Sequence, residues 1–163
     1  MDIVDFLNRH GLHTTLSKQG EIALCFTVES NSDDDQLNLD IFLDDQLVQQ
    51  VTAVREPRRI KLSIPDDPAQ HLLRMVMSGK SWQHTQQDHQ GHIINDAVIT
   101  VGDMIIDDTD ITNLFYKFGI YHHDFNGNAQ VQYQVPWHGV MGCNGTVLFG
   151  FRTPYYDWLL ETM

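Results

Sequence analysis

Apolar and polar residues alternate along most of the chain from residue 21 onward, which is typical of strands that bury one face. The alternation predicts strands over residues 22–28, 37–43, 47–54, 60–64, 71–77, 97–101, 104–106 and 146–151. Asp44 and Asp45 suit a tight turn, so the second and third strands are predicted to form a hairpin. Residues 112–121 are largely apolar and aromatic, and there the pattern leaves helix and strand open.

Short helices are predicted at both chain ends. In residues 2–10 the apolar side chains fall on one broad face, and Gly11 ends the pattern. Near the other end, Thr153 suits the N-cap and Pro154 the first helical position. The candidate interface residues on these helices are Phe6, Leu7, Tyr155, Tyr156, Trp158 and Leu159. Their apolar faces either pack on their own domain or contact a neighbouring subunit, and both alternatives stay open.

The predicted fold is all-β. About seven to nine short strands with many turns and no strong interior helix indicate an antiparallel β-sandwich or jelly roll. At 163 residues we expect one domain, 1–163, with residues 1–11 and 154–163 as helical interaction ends. A disulfide between Cys25 and Cys143 is left open, but the lack of a disulfide framework favours a reducing cytoplasm.

The acidic residues are unusual in kind, because the chain has 18 Asp and 4 Glu. Asp competes for backbone hydrogen bonds and favours turns, so the bias agrees with a fold rich in loops. The net charge of −12 argues against nucleic acid as a partner, since neutralising phosphates needs a basic surface. It argues equally against docking on anionic membranes.

Two groups of oxygen-bearing side chains could hold a cation, one within residues 103–110 and one around Gly127. The candidate ligands are Asp107, Asp108, Asp110, Asp124, Asn126 and Asn128. Calcium is the candidate cofactor, because it binds carboxylate and amide oxygens of loops. The alternative is that both groups are turns whose Asp and Asn side chains hydrogen-bond their own backbone. The sequence does not show whether the two groups converge.

Aromatic and histidine side chains in polar stretches suggest a sugar-binding surface. The candidate glycan-binding residues are Trp82, Tyr121, His122 and Trp137. Apolar ring faces stack on sugars, while neighbouring Asp, Asn and His side chains bind hydroxyl groups. The alternative is that these rings fill the ends of the sandwich core. We predict no enzyme, because neither a Gly-x-Ser-x-Gly elbow nor a phosphate-binding loop occurs and the histidines lack zinc-site spacing.

The second half of the chain resembles uncharacterised structural proteins of tailed bacteriophages. The resemblance is carried by residues 72–80, by His84, Thr85, Asp88, Gly91 and Asp96, and by residues 105–108, 121–127, 141–146, 153–154 and 158–161. It implies a non-enzymatic virion protein of the capsid or tail, assembled in the host cytoplasm. The implied partners are other virion proteins and further copies of the same chain.

The strand order and Asp-rich loops are also similar in pattern to calcium-dependent carbohydrate-binding modules, which are jelly rolls. This second likeness implies a bound calcium ion and a glycan partner, without fixing any residue. From the sequence, a virion structural protein is the leading hypothesis and a calcium-dependent carbohydrate-binding module is the alternative.

Overall fold

The protein is an antiparallel β-sandwich, as the sequence predicts. The computed structural model describes residues 20–33, 36–125 and 133–163, with only the backbone of Tyr133. The strands are β1 (Glu21–Ser30), β2 (Asn38–Leu43), β3 (Gln46–Val51), β4 (Arg58–Pro65), β5 (Ala69–Ser78), β6 (Thr85–Gln87), β7 (Ile93–Asp96), β8 (Ile99–Ile106), β9 (Thr109–Asp110), β10 (Ile120–His123), β11 (Tyr133–Pro136), β12 (Val140–Met141) and β13 (Gly145–Thr153). The helices are α1 (Thr112–Phe118) and α2 (Tyr155–Thr162).

Two sheets form the layers of the sandwich. One has the strand order β12-β8-β1-β4, with β9 also paired to β8, and the other has the order β11-β10-β13-β5-β2-β3. A separate two-stranded hairpin, β6-β7, follows a single 3₁₀ turn over Trp82–His84. The pattern of polar residues within 78–96 did not predict this hairpin, because its strands bury no continuous face.

The core is built from the alternating strand residues. Leu24, Phe26 and Val28 of β1 are fully buried, and Leu73 and Met75 of β5 meet them from the other sheet. Burying an aliphatic or aromatic side chain of this size contributes about 1.5–3 kcal/mol relative to leaving it in water. Most of the stability therefore comes from the same period-2 pattern that identifies the strands in the sequence.

The ambiguous stretch 112–121 divides into a helix and a strand. Asp110 precedes α1, and its Oδ1 accepts a hydrogen bond from the Thr112 backbone N–H at 2.9 Å. The helix buries Phe115 and ends before Gly119, where a Cβ atom would lie 2.6 Å from the Phe115 carbonyl oxygen. The interior helix is a feature that the sequence-based prediction lacked.

The C-terminal helix is present, but its predicted cap is wrong. The hydroxyl of Thr153 donates to the Asp67 carbonyl oxygen, and α2 begins one residue after Pro154. Asp66 supplies a cap from outside the helix, because its Oδ1 accepts a hydrogen bond from the Tyr155 N–H at 3.0 Å. Within the described ranges, neither helix is both long and apolar enough to cross a bilayer.

Most of the apolar face of α2 packs on its own domain. Tyr155, Trp158 and Leu159 are buried, and the Trp158 ring lies 6.1 Å from the Phe149 ring between centroids. The prediction that these three residues form an intersubunit interface is therefore wrong, because their surface is already used. Tyr156 alone of the predicted residues on α2 is exposed. Phe6 and Leu7 lie outside the described residues.

Candidate functional site

The sandwich has two ends with different chemistry. Lys80 and the β6-β7 hairpin lie at one end of the sandwich, where Ile99 of β8 pairs with Ser30 and Met141. We call this the Lys80 end. At the other end of β8, where Ile106 pairs with Leu24, lie residues 66, 107 and 155, and we call this the Tyr155 end. The candidate residues from the sequence divide between these two ends.

Lys80 ties the hairpin to the body of the domain. Its fully buried ammonium donates hydrogen bonds to Asp96 Oδ1 at 2.6 Å and to the Gly142 carbonyl oxygen at 2.5 Å. The hydroxyl of Thr85, on the opposite hairpin strand, donates to the same Asp96 oxygen at 2.7 Å. Asn144 accepts from the Lys80 N–H at 2.9 Å and donates to the Lys80 carbonyl at 2.8 Å. A buried charge held by this many partners fixes the position of the hairpin.

A polar cleft of about 270 Å³ lies at the same end. Its lining residues are Asn31, Ser32, Asp33, Gln83, His84, Gln86, Asn95 and Ala97. The wall formed by Asn31 is rigid, because its Nδ2 donates to the Asp96 carbonyl at 2.8 Å and its Oδ1 accepts from the Val98 N–H at 2.9 Å. The side-chain amides of Gln83, Gln86 and Asn95 are exposed and hydrogen-bond no described residue. The cleft thus offers donors and acceptors that a ligand could engage.

Trp82 stands beside this cleft and is 81% exposed. It begins the 3₁₀ turn that also carries Gln83 and His84, two residues of the cleft wall. The turn is held by the Ser81 backbone N–H, which donates to His84 Nδ1 at 2.9 Å. Ile93 and Ile94 of the neighbouring hairpin are also more than half exposed. A large apolar surface next to exposed amides that hydrogen-bond no described residue is typical of binding sites.

The other aromatic residues predicted to bind sugar do not join Trp82. Trp137 is fully buried against Phe115, with ring centroids 5.7 Å apart, and Tyr121 is buried against Trp137 at 5.8 Å. The prediction of a glycan platform is wrong for Tyr121 and Trp137, because a ring enclosed by other rings offers no face to a sugar. His122 lies between the buried Tyr121 and His123 on β10, so it points away from the core.

The carboxylates of residues 107–110 are engaged by the backbone. Asp107 Oδ1 accepts from the Ala23 N–H at 2.8 Å, and Asp108 is exposed. The N–H and hydroxyl of Thr112 lower the pKa of Asp110 by hydrogen-bonding its ionised form. Among the described residues, no three His, Cys, Asp or Glu side chains come together as metal ligands. The turn interpretation therefore accounts for this group, and the geometry does not support a metal site there.

Asp124 lies at the Lys80 end, so the two acidic groups do not converge. Its Oδ1 is buried and has no hydrogen-bond partner among the described residues. Burial raises the pKa of the nearby Tyr121 phenol, with smaller contributions from the carboxylates of Asp124 and Asp96. A buried carboxylate oxygen without a donor is costly, and a cation is one group that would satisfy it. Asn126 and Asn128 lie outside the described residues.

The sequence-based prediction missed a second polar network, at the Tyr155 end. His71 Nδ1 lies 2.7 Å from Asp44 Oδ2, and His71 Nε2 lies 3.0 Å from the Thr153 hydroxyl. A carboxylate, an imidazole and a hydroxyl in this order are also the groups of a hydrolytic triad. Thr153, however, is 5% exposed and donates its hydroxyl proton to the Asp67 carbonyl, so its oxygen is neither accessible nor activated. The network ties β5 to β13 and to the turn between β2 and β3. No local motif signals it, because its members are far apart in the sequence.

No family model and no curated protein matches the chain. Two solved structures are similar in fold. One, vCBM60 in complex with galactobiose, has a TM-score of 0.46 and 11% identity over 78% of this chain and 97% of its own. The other is the selenomethionine form of vCBM60, described with a circular permutation that links two families of calcium-dependent carbohydrate-binding modules. It has a TM-score of 0.49 and 10% identity, over 79% of this chain and 90% of its own. Similarity at this level assigns neither a family nor a ligand to the chain.

Proposed function

We propose that this domain is a non-catalytic module that binds a neutral glycan at the Lys80 end. The observation that carries the proposal is the exposed Trp82 indole beside a cleft whose Gln83, Gln86 and Asn95 amides are free among the described residues. An indole face stacks on the C–H face of a sugar ring, while amide donors and acceptors bind its hydroxyl groups. The site thus has the two kinds of contact that a sugar needs.

The site is held in shape before any ligand arrives. The Lys80–Asp96 pair fixes the hairpin, and both polar atoms of the Asn31 amide are fixed to the backbone. A rigid site loses less conformational entropy when a ligand binds, so more of the contact energy appears as affinity. The buried lysine therefore acts on binding through the geometry of the cleft.

The charge of the protein favours neutral over anionic glycans. The net charge is −12, and Asp33 lines the cleft itself. A sulfated or uronic-acid glycan would approach against this negative potential, whereas a neutral oligosaccharide would not. We therefore expect neutral sugars to bind and acidic ones to bind more weakly, most clearly at low ionic strength.

The test is titration calorimetry with a panel of neutral and acidic oligosaccharides, galactobiose included. Trp82→Ala should weaken binding of a neutral ligand by about 30-fold, because truncating an anchoring tryptophan costs about 2 kcal/mol or more. The matched control is Tyr156→Ala, which removes an aromatic ring that is 62% exposed at the opposite end and should leave affinity unchanged. Absence of binding across the panel, or equal losses in the two variants, would contradict the proposal.

The proposal includes a calcium ion. Among the described residues, Asp124 is the one that would bind it, through its buried Oδ1. Calcium should raise the melting temperature of the full chain, and Asp124→Asn should abolish the increase, because a ligand of the native state stabilises it by mass action. Asp108→Asn, at an exposed carboxylate of the Tyr155 end, is the control and should keep the increase. No shift with calcium would remove the metal from the proposal and leave the glycan site standing.

Incorporation into a bacteriophage virion stays a prediction of the sequence resemblance. Tyr155, Trp158 and Leu159 do not support it, since these side chains are buried in their own domain. Co-purification of the protein with assembled particles, at a fixed copy number, is the observation that would establish it. A glycan-binding module is compatible with that location.

A further inference from the structure

The 3₁₀ turn beside the cleft carries an exposed indole at its start and a buried imidazole at its end. Trp82 is 81% exposed, whereas His84 is 7% exposed. The His84 N–H donates to the Ser81 carbonyl at 3.1 Å, and the Thr85 N–H donates to the Trp82 carbonyl. A single 3₁₀ turn has few backbone hydrogen bonds, and their geometry is poorer than in an α-helix. Side-chain contacts therefore decide whether this turn keeps its shape.

A hydrogen bond from the backbone of Ser81 to the side chain of His84 closes the turn. The Ser81 N–H donates to His84 Nδ1 at 2.9 Å. The arrangement is that of a capping box, in which the third residue of the turn accepts from the N–H of the residue that precedes the first. Glu or Gln is the usual residue at this third position, and an amide oxygen accepts at any pH. Histidine instead accepts through a ring nitrogen that can also bind a proton.

We propose that His84 positions Trp82 for the glycan, and that it does so only as a neutral imidazole. A backbone N–H can only donate, so Nδ1 carries no proton in this turn and the proton of the neutral ring is on Nε2. A proton on Nδ1 would set two N–H groups against each other and leave the Ser81 N–H without this acceptor. Trp82 follows Ser81 directly, so loss of the bond releases the indole from its place beside the cleft. The inference rests on the proposed glycan site.

The Ser81 hydroxyl does not remove this dependence on the neutral ring. Its oxygen lies 3.2 Å from the same Nδ1. A protonated Nδ1 could donate to that oxygen, but the Ser81 N–H would still face a proton in place of a lone pair. The backbone of His84 is held at both of its polar groups, because its N–H donates to the Ser81 carbonyl and its carbonyl accepts from the Ala97 N–H at 2.9 Å. Protonation should therefore open the turn, since the buried ring has little room to rearrange.

Among the described residues, the charged groups of the segments around His84 are Lys80, Asp96 and Asp33. The Lys80 ammonium lies 2.6 Å from Asp96 Oδ1, so these two charges largely offset each other. Asp33 lines the same cleft as His84 and is exposed. Its charge favours an imidazolium, but water screens it, whereas the Ser81 N–H opposes protonation through a direct contact. Histidine side chains become charged between about pH 8 and pH 5, so the turn should open as the pH falls through this range.

Titration calorimetry of the full chain with a neutral oligosaccharide, at pH 8 and at pH 5, is the functional test. The affinity of the wild type should fall by about tenfold at pH 5, because the binding-competent turn is then a minor population. His84→Gln should bind as the wild type does at pH 8 and keep its affinity at pH 5, since an amide oxygen accepts from the Ser81 N–H without titrating. The matched control is His92→Gln, at a histidine of the same hairpin whose side chain is 71% exposed, and it should keep the pH dependence of the wild type. The same pH dependence in the wild type and His84→Gln, or weak binding by His84→Gln at both pH values, would overturn the proposal.

¹H–¹⁵N spectra recorded without sugar separate this inference from the proposed function. Between pH 8 and pH 5 the Ser81 amide and the Trp82 indole signals should follow one titration in the wild type and stay in place in His84→Gln. Signals that stay in place in the wild type, or that still titrate in His84→Gln, would show that Nδ1 of His84 does not hold the turn. If the signals titrate as expected but no sugar binds at pH 8, the proposed function is wrong and the role of His84 in the turn stands.

Discussion

Trp82 and Trp137 are two indoles from similar polar stretches of sequence, yet one is 81% exposed and the other is fully buried. Trp137 follows β11, donates its backbone N–H to the Gly119 carbonyl at 3.1 Å, and is enclosed by the rings of Phe115 and Tyr121. Trp82 sits on a 3₁₀ turn. An aromatic residue in a polar stretch thus becomes a core residue or a binding surface depending on strand pairings that are distant in sequence.

The largest expected difference between the two indoles is in stability. Trp137→Ala should lower the free energy of unfolding by about 3–5 kcal/mol, because it leaves a large cavity in the core. Trp82→Ala should change it by less than about 0.5 kcal/mol, since the ring is in solvent. Urea unfolding measures both. Trp137→Phe should cost less than Trp137→Ala, because it keeps most of the volume and removes an indole N–H that has no partner among the described residues. Similar losses of unfolding free energy in the two alanine variants would contradict the contrast between a buried Trp137 and an exposed Trp82.

The second effect concerns the support beneath Trp82. Asp96→Ala should destabilise the domain by about 3 kcal/mol, because it leaves the buried Lys80 ammonium without its carboxylate. Glycan affinity should fall as well, since the hairpin and cleft wall lose their anchor. Glu161→Ala removes the surface ion pair with Arg152, and should cost less than about 1 kcal/mol and leave affinity unchanged. An Asp96→Ala variant with wild-type stability would show that the buried pair does not hold the hairpin.

The third effect tests how tightly Trp137 is packed. A Cβ atom at Gly119 would lie 2.7 Å from Trp137 Cδ1 and 2.6 Å from the Phe115 carbonyl oxygen. Gly119→Ala should therefore cost about 1–3 kcal/mol in thermal or urea unfolding. Gly150→Ala is the control, because the nearest atom to its added Cβ is 3.9 Å away. Equal stability of the two variants would mean that the residues around Trp137 can shift at little energetic cost.

The smallest effect comes from the carboxylate that caps α1, the helix that supplies Phe115 to the Trp137 wall. Hydrogen bonds from Thr112 hold the pKa of Asp110 below its usual value of 3.8. A carboxyl group whose pKa is lower in the folded than in the unfolded state stabilises the fold at pH values above its unfolded pKa. This contribution is lost as the pH falls through the folded pKa. The stability difference between wild type and Asp110→Ala should be under about 1 kcal/mol near pH 7, since the group is exposed, and should decrease as the pH falls through the folded pKa. A difference that stays constant with pH would exclude the charged cap.

Much of the fold could be predicted from the sequence because the strands alternate. The hairpin at Asp44 and Asp45, where both residues have positive φ, also has a local signal. α1 could not be predicted, since a buried helix and a buried strand are equally apolar over ten residues. In the candidate site, Trp82 was predicted from its polar neighbours, but Lys80 was not. Its partners Asp96 and Gly142 reach it only through strand pairings that no local pattern encodes.

The most direct test of a glycan site at Trp82 is a ¹H–¹⁵N spectrum of the three indole N–H groups during titration with a neutral oligosaccharide. We predict that the Trp82 signal shifts in a saturable way, while the signals of Trp137 and Trp158, both buried, stay in place. A saturable shift at either buried indole without one at Trp82, or no shift at any of the three, would contradict the account.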